Sequence, residues 1–595
     1  MEVNLAAREV TCDKGAMPTR ADIGPPLEYG VDAPSHGGER WRRVGLGAAL
    51  LAAVFVSGSG ELGAPWIQGD EFIFIVNDPD VNPAAGGAAV RSLGERLGRI
   101  VTRVHDDLYQ PIPMLTYAVE WSISGGDPLQ IRRTDVLLHG INGLLLWWVL
   151  ASALRRVGGR ASGLAWVLAL LWALHPMLVT AYASDMGRTH LLAAMFSLVA
   201  IGFYLRTVES GRWEWFGGTV GALLLGMLCK PMPGWVLLAV VLEASGGGWR
   251  RTLTRVRVWI VGAICVGFAL STLWTSREAG LIEDASKGLF GDPVARSALA
   301  VWIYARNVVA PAWLAFWYPP DPRAGWGFAL VWLGLLVAMA SVAHAIWAWR
   351  QVRTRAIAVG WAWCWGLLLP VLGLIGAREV AAVDRYFYQP LMGVAVVAGV
   401  VVLRIQARLV VSWRVLGGGA AVVAVAMLAW DLPQGRIARS TIRRATRLVE
   451  LNPGDPRALE ALAQAYDFAR NHAIPVSDRA AIPKDGSQFR HFTLKTREAL
   501  GRAADAENLA YYFPGPEDRG PFHRRLSYRF LLTGDAQRSL EQAEAARELR
   551  PDDFMTWKRL AHAQQALGRL DEAEAAYARC EAVLPESPAD RKSVV

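Results

Sequence analysis

A succession of apolar runs restricts what this chain can fold into more than any other feature. Runs of about 14 to 22 residues, close to the length of helix that crosses a bilayer, lie near 44–59, 134–154, 161–178, 189–206, 214–229, 232–245, 257–275, 327–348, 356–376, 388–404 and 413–431. In lipid a backbone must satisfy its own amides, so such runs fold as helices. With 53% hydrophobic residues and 26 Trp among 595 residues, and a mean hydropathy of +0.24, the chain is too apolar for one soluble domain. The runs stop near Trp430, and the C-terminal remainder is charged and Ala-rich. The expectation is an all-α protein: a polytopic helical membrane domain over 40–431 with about eleven spans, then a soluble domain over 432–595.

Charge orders the spans. Arg155, Arg156 and Arg160, then Arg206 and Arg212, then Arg250, Arg251, Arg255 and Arg257, then Arg350, Arg353 and Arg355, then Arg404, Arg408 and Arg414 occupy every second loop. Arginine in short loops marks the cytoplasmic side. Arg40, Arg42 and Arg43 precede the first run, which reads as an uncleaved signal anchor behind a disordered cytoplasmic tail over 1–39. An odd number of spans then puts the C-terminal domain outside, together with the first loop, 60–133. The expected location is an inner or plasma membrane. The run at 297–318 is broken by Arg306 and Pro311, and it reads as interfacial or re-entrant because a span there would invert every later loop. The net charge of +9 therefore reports topology, and no nucleic-acid partner is expected. Cys12, Cys229, Cys265, Cys364 and Cys580 lack paired spacing, so neither a disulfide framework nor a metal site is expected.

The first loop opens with QGDEFIFIVN, Gln68 to Asn77. Its acid pair, Asp70 and Glu71, lies just beyond the anchor, where a carboxylate stays ionised and can deprotonate an incoming hydroxyl. Val90, Leu93, Leu97, Ile100, Val101 and Val104 recur at helical spacing with Arg91, Arg96, Arg99 and Arg103 between them, a pattern that suits a helix lying in the membrane interface. His105, Asp106 and Asp107 then precede the apolar stretch IPMLTYAVEW.

Ionisable groups at membrane depth are costly and demand a partner or a purpose. Asp185, Arg188 and His190 open one span, Lys230 ends another, and Arg385 begins a third beside Asp384 and Tyr386. The expected topology brings Arg188, Lys230 and Arg385 to the outer boundary with Asp70, an arrangement suited to an anionic phosphate beside a general base. His139 and His175 lie in or at the ends of spans, with Asn142 one turn from His139. A lone intramembrane His is more often a hydrogen-bonded packing residue than a catalytic one. The Gly clusters near 217 and 417 are read as helix-packing sites.

After Trp430 the period changes. Trp557, Leu560, Ala561, Gly568, Ala573, Tyr577 and Pro585 stand at the spacing of a tetratricopeptide repeat, a helix pair of about 34 residues. Gly534 and Pro551 precede Gly568 and Pro585 by the same distance. A looser unit near Asn452 to Tyr466 precedes an irregular insertion at 471–490. Such repeats stack into a solenoid that binds partner proteins.

The ordered motifs QGDEFIFIVNDP, YQPIPMLTYAVEW, LLHGINGLLL, ALHPMLVTAYASDMGRTHLLAAMF, CKPMPGWVLL, ARNVVAPAWLAFWYPP and DRYFYQPLMG resemble the transmembrane-and-TPR O-mannosyltransferase family and its bacterial relatives, within the wider GT-C glycosyltransferases. The resemblance implies a GT-C-like membrane domain that takes a sugar from a polyprenyl phosphate and transfers it to a hydroxyl at the extracytoplasmic face, commonly with inversion. It implies Asp70 as base with Glu71 in support, and Arg188, Lys230 and Arg385 as donor-phosphate ligands. His139, His175, Asp185, Asp106 and Tyr386 are candidate substrate-binding residues. No cofactor is implied beyond the lipid-linked sugar. The expected partners are that donor, membrane lipids, a protein or envelope-glycan acceptor and a protein on the repeat surface. The sequence departs from the family at Gln110-Pro111, Lys230-Pro231 and Thr180, so the sugar stays unspecified. Two other readings are a lipid-linked polysaccharide ligase, disfavoured because the longest outer loop is early, and a non-catalytic scaffold or transporter, disfavoured because the spans show no repeated halves.

Overall fold

The computed structural model describes residues 36–583 apart from 61, 63–64, 67–70, 86–90, 105–108, 156–160, 184–185, 233, 279–292, 316–317, 319–326, 373–380, 410, 439, 473–486, 507–508, 510–512 and 514. Among these residues the structure is helical, with one isolated antiparallel bridge between Tyr318 and Ala382. A short N-terminal unit ends at Gly47 and a large body runs from Ala48 onward. The tail expected over 1–39 lies almost wholly outside the described residues, and helix α1 begins at His36 and ends at Ser57.

Each apolar run holds a helix. Two helices of the first loop, α2 (Leu93–Thr102) and α3 (Pro111–Ser124), precede α4 (Pro128–Arg155) and α5 (Ala161–Ala173). Then come α6 (Arg188–Ser210), α7 (Trp213–Cys229), α8 (Trp235–Gly247), α9 (Val256–Glu278) and α10 (Pro293–Val309). The series closes with α11 (Gly327–Trp349), α12 (Arg355–Leu368), α13 (Pro390–Leu409) and α14 (Trp413–Ala438). Among the described residues seven helices are long and apolar enough to cross a membrane: α1, α4, α6, α9, α11, α13 and α14. An eighth would join α5 to the one-turn helix Val179–Tyr182 across a bend of 52°, and α7, α8 and α12 are apolar but shorter. Pro176, which has no amide to donate, enforces that bend, and the His175 side chain caps the turn after it by accepting from the Met177 amide.

In the body α4 packs on α5 and α6, α6 on α7, α10 on α11, and α12 on α8 and α13. These contacts share one apolar core that includes Leu50, Leu146, Leu191, Tyr204, Trp235, Trp363 and Val400. Glycine sets the closest approaches. A Cβ on Gly234 would overlap the carbonyl oxygen of Gly366, and one on Gly334 that of Ala298. The cluster at Gly417, Gly418 and Gly419 does not act this way, since a Cβ on any of the three meets nothing within 4 Å. Likewise Gly217 faces open space, and a Cβ on Gly218 would meet a side chain, that of Phe203.

The first loop has its own small core of Phe74, Ile75, Val81, Ile100, Met114, Tyr117 and Ile131, closed by Met186. Ser92 and Glu95 form a reciprocal capping box that starts α2. The arginines in and beside α2 make contacts within this loop. Arg96 is buried and donates to the Val81 carbonyl at 2.7 Å and to Ser122 Oγ at 2.5 Å. Arg99 donates to buried Asp80 at 2.7 Å, with Arg91 and Arg103 at 3.8 and 3.6 Å from the same carboxylate.

After α14 the Ser440 hydroxyl caps α15 (Thr441–Leu451). The helices α16 (Pro456–Asn471), α17 (Gln488–Ala504), α18 (Pro516–Leu532), α19 (Ala536–Leu549), α20 (Phe554–Ala566) and α21 (Leu570–Ala582) come next, each packed on its successor. Gly534 and Gly568, both in the left-handed region at φ 79° and 76°, make the equivalent turns α18–α19 and α20–α21, where a Cβ would be strained. The irregular insertion falls mostly outside the described residues.

Gly234→Ala is expected to force α8 and α12 apart and to destabilise the protein by about 1–3 kcal/mol. Gly418→Ala is expected to be neutral. Thermal unfolding of the two variants in detergent compares them directly.

Candidate active site

One face of α4 carries Arg132, Asp135, His139 and Asn142 at intervals of three and four residues, so all four lie on a single stripe. All are buried, and each is spoken for. Glu71, itself 4% exposed, takes both its oxygens to Arg132, which donates to them at 3.2 and 3.1 Å. The same guanidinium donates to the carbonyls of Pro65 and Ala183. Glu71 immediately precedes a wide turn of π-helix, Phe72–Val76, closed by the Asn77 amide donating to the Phe72 carbonyl.

Arg188 is the first residue of α6, where a cation opposes the helix dipole. Two carboxylates offset that. Its Nε donates to Asp135 at 2.6 Å, Nη1 to Glu120 at 2.6 Å and Nη2 to the Ile131 carbonyl at 3.0 Å. The guanidinium also lies 4.2 Å from the centre of the Tyr117 ring. Met186, at φ 56° the one described non-glycine residue in the left-handed region, makes the sharp entry into α6. A narrow cleft with room for about one water runs between Trp66, Glu71, Tyr117, Arg132, Asp135 and Met186.

A second group lies across the first turn of α6, because residues two apart on a helix point away from each other. His190 accepts a hydrogen bond from Lys230 Nζ at 2.9 Å through Nε2, since an ammonium only donates. Tyr386 stacks on His190 with centroids 5.6 Å apart. Lys230 Nζ lies 4.5 Å and the Arg385 guanidinium 5.8 Å from the centre of the Tyr386 ring. The neighbouring Asp384 anchors this segment. Its carboxylate accepts from Asn307 at 3.1 Å and from the Tyr318 hydroxyl at 3.0 Å, while Arg306 donates to Asn307. Burial pushes the Asp384 carboxyl up to about 7, against the pull of those hydrogen bonds and of the Arg306 charge.

The structure thus brings Lys230, Arg385 and Tyr386 together and puts Arg188 on the other side, paired to acids. It does not gather three cations round one anion site. His139 is a packing residue by its contacts: one ring nitrogen meets Tyr388 Oη at 2.8 Å and the other the Ala173 carbonyl at 2.9 Å. Asn142 reaches it only through that same hydroxyl, to which it donates at 3.1 Å. His175 is likewise committed, to the Met177 amide and the Val308 carbonyl. Asp70, Asp106 and Asp185 lie outside the described residues. Sequence reasoning misses Arg132, Asp135 and Glu120. A signal for the first two exists, since the α4 stripe continues from His139 and Asn142 back through both.

These features define a helical membrane protein with an acidic and a basic group of side chains flanking one helix N-terminus. No family model matches the chain, and no solved structure matches it significantly. Among curated proteins it is similar to protein O-mannosyl-transferase TMTC1 of Homo sapiens, 29% identical over 29% of this chain and 20% of that one. It is also similar to protein O-mannosyl-transferase TMTC4 of Mus musculus, 32% identical over 23% of this chain and 18% of that one, and to protein O-mannosyl-transferase Tmtc3 of Drosophila melanogaster, 30% identical over 20% and 16%. The chain spans a fifth or less of the length of these relatives.

Arg188→Met strands two carboxylates and is expected to cost about 3–5 kcal/mol, seen as loss of the monodisperse peak in size-exclusion chromatography. Adding Asp135→Asn and Glu120→Gln should restore part of it. For Asp384, the folded carboxyl holds its proton up to about pH 7, whereas an unfolded one releases it near pH 4. Stability is therefore expected to fall as pH rises from about 4 to about 7 and to level off above. Asp384→Asn should remove that component of the pH dependence of thermal unfolding.

Proposed function

We propose that this chain is an integral membrane glycosyltransferase that moves a sugar, mannose by analogy with its relatives' names, from a polyprenyl phosphate to a hydroxyl on a protein. The reaction takes place at the extracytoplasmic face of an eleven-span, GT-C-like domain, and the C-terminal helix pairs form a TPR-type solenoid that holds the acceptor. The count of eleven takes the seven long helices, the bent pair and the three shorter apolar helices together.

The observation that carries this reading is the group Lys230, Arg385, Tyr386 and His190, across the first turn of α6 from Arg188 and its carboxylates. In the proposed reaction the carboxylate of Asp70, with Glu71 beside it, accepts the proton of the acceptor hydroxyl. The hydroxyl oxygen bonds to the anomeric carbon from the face opposite the phosphate, and the bond from that carbon to the phosphate oxygen breaks with its electron pair. The departing polyprenyl phosphate then meets the charges of Lys230 and Arg385, a stabilisation that grows with bond breaking and so accelerates the reaction. Arg188 sets the angle between α3, α4 and α6, and through them the spacing of base and cations.

Support for a shared face comes from the contacts of the C-terminal domain. Arg447 at the start of that domain donates to the Ala312 carbonyl at 2.8 Å, and the indole of Trp430 in α14, the helix leading into it, donates to the Pro311 carbonyl at 2.9 Å. These lie at the end of the bundle that carries Tyr318 and Asp384.

Purified protein with polyprenyl-phosphate mannose and a library of Ser/Thr peptides should yield peptides heavier by one hexose in mass spectrometry. Asp70→Asn is expected to lower the rate by about 10²–10⁴ and Lys230→Ala by about 10²–10³, both with wild-type chromatographic behaviour. Full activity in both variants would contradict the assignment.

A further inference from the structure

We infer that the C-terminal helical domain positions the acid-bearing turn of the membrane domain through an aromatic clasp, Phe72 set against Phe468 and His472. The inference rests on the reading of Glu71 and its neighbour as site carboxylates. The Phe72 ring meets Phe468 edge-on at 4.9 Å and 86°, and His472 at 5.1 Å and 79°. Phe468 and His472, one turn apart at the end of α16, stack on each other at 4.1 Å and 7°. The His472 ring is held in that pose by its Nδ1 against the Phe468 carbonyl at 2.8 Å. An edge-to-face contact is directional, because the positive ring edge seeks the negative face of its partner. It therefore fixes the orientation of Phe72, which stays half-buried.

Phe72 comes directly after Glu71 and opens the π-turn whose closing bond returns to its own carbonyl. A rotation of Phe72 is transmitted to Glu71 through one peptide bond. A second tie reaches the same carboxylate from behind. Arg444 in α15 donates to the Ala183 carbonyl at 3.5 Å, the oxygen that also accepts from Arg132, the guanidinium that grips Glu71. The C-terminal domain thus touches the turn in front of Glu71 and the carbonyl beside its counter-ion. A polypeptide held on the helix pairs next to α16 would arrive at the carboxylates, and a domain that lets go of Phe72 would release the turn that presents them. The clasp residues act through Glu71 and are positioning residues.

The test uses the full-length protein in nanodiscs with Phe468→Ala, Phe468→Tyr and, from the membrane side, Phe72→Leu. Hydrogen exchange over 71–77 reads the clasp itself, and transfer to peptide with polyprenyl-phosphate mannose reads its consequence. Phe468→Ala and Phe72→Leu are each expected to raise exchange over 71–77 by about tenfold and to lower kcat with the donor KM unchanged, and Phe468→Tyr to restore both. Should Phe468→Ala loosen the whole C-terminal domain, visible as raised exchange over 516–582, Phe72→Leu decides alone. Unchanged exchange over 71–77, or raised exchange with unaltered kcat, overturns the inference. Raised exchange in a protein whose wild type transfers no sugar leaves the clasp standing and removes the glycosyltransferase reading instead.

Discussion

A guanidinium buried at the positive end of a helix persists only if negative groups surround it, and the rest of this fold is arranged to supply them to Arg188. Asp135 comes from α4 and Glu120 from α3, so one side chain fixes three helices at once. The acidic group survives for the same reason: Glu71, Asp135 and Glu120 are shared between Arg132 and Arg188. With Arg188 facing the acids, His190 two residues on faces Lys230 and Tyr386. The first turn of α6 thereby separates opposite charges that would neutralise each other if they met. That separation is what a group transfer from an anionic leaving group needs, with a proton acceptor on one side and fixed cations on the other.

Most of the architecture was legible in the sequence, and the reasons are local. Each apolar run became a helix because lipid or core leaves the backbone no other way to pair. The equivalent turns at Gly534 and Gly568 could be read because a left-handed glycine between two amphipathic segments is a short-range signal. The site was legible in part. Lys230, Arg385 and Arg188 stood out as charges beside apolar runs, yet their partners are set by the tertiary fold. Glu120 lies 68 residues before Arg188 and Asp135 53 residues before it, separations at which no periodicity speaks. His139 illustrates the reverse: conspicuous in sequence, it is fully engaged by Tyr388 and the Ala173 carbonyl. Arg99 of α2, with Arg91 and Arg103 on either side of that helix, converges on Asp80 because a buried carboxylate draws nearby cations.

The C-terminal domain adds a constraint that composition alone does not suggest. A tethered helical domain could sit anywhere its linker allowed. Here α14 runs past Pro433 almost directly into α15, and Arg447, Arg444 and the Phe468–His472 pair meet the end of the membrane domain that carries Ala312, Ala183 and Phe72. The C-terminal domain and the Glu71 turn become neighbours through the fold itself. The matches to the named O-mannosyl-transferases cover at most about a third of the chain, so the geometry of these residues carries the functional reading over the remainder.

The central claim is that the Lys230, Arg385 and Tyr386 group holds the phosphate of the lipid donor. A polyprenyl phosphate bearing a photoactivatable group next to the phosphate, irradiated with the protein in nanodiscs and mapped by mass spectrometry, tests it most directly. The account predicts label on the peptides containing Lys230 or Arg385 and Tyr386, displaced by excess polyprenyl-phosphate mannose. Label confined to the largely exposed helices α9, α11 and α14, or insensitive to that competitor, would contradict it.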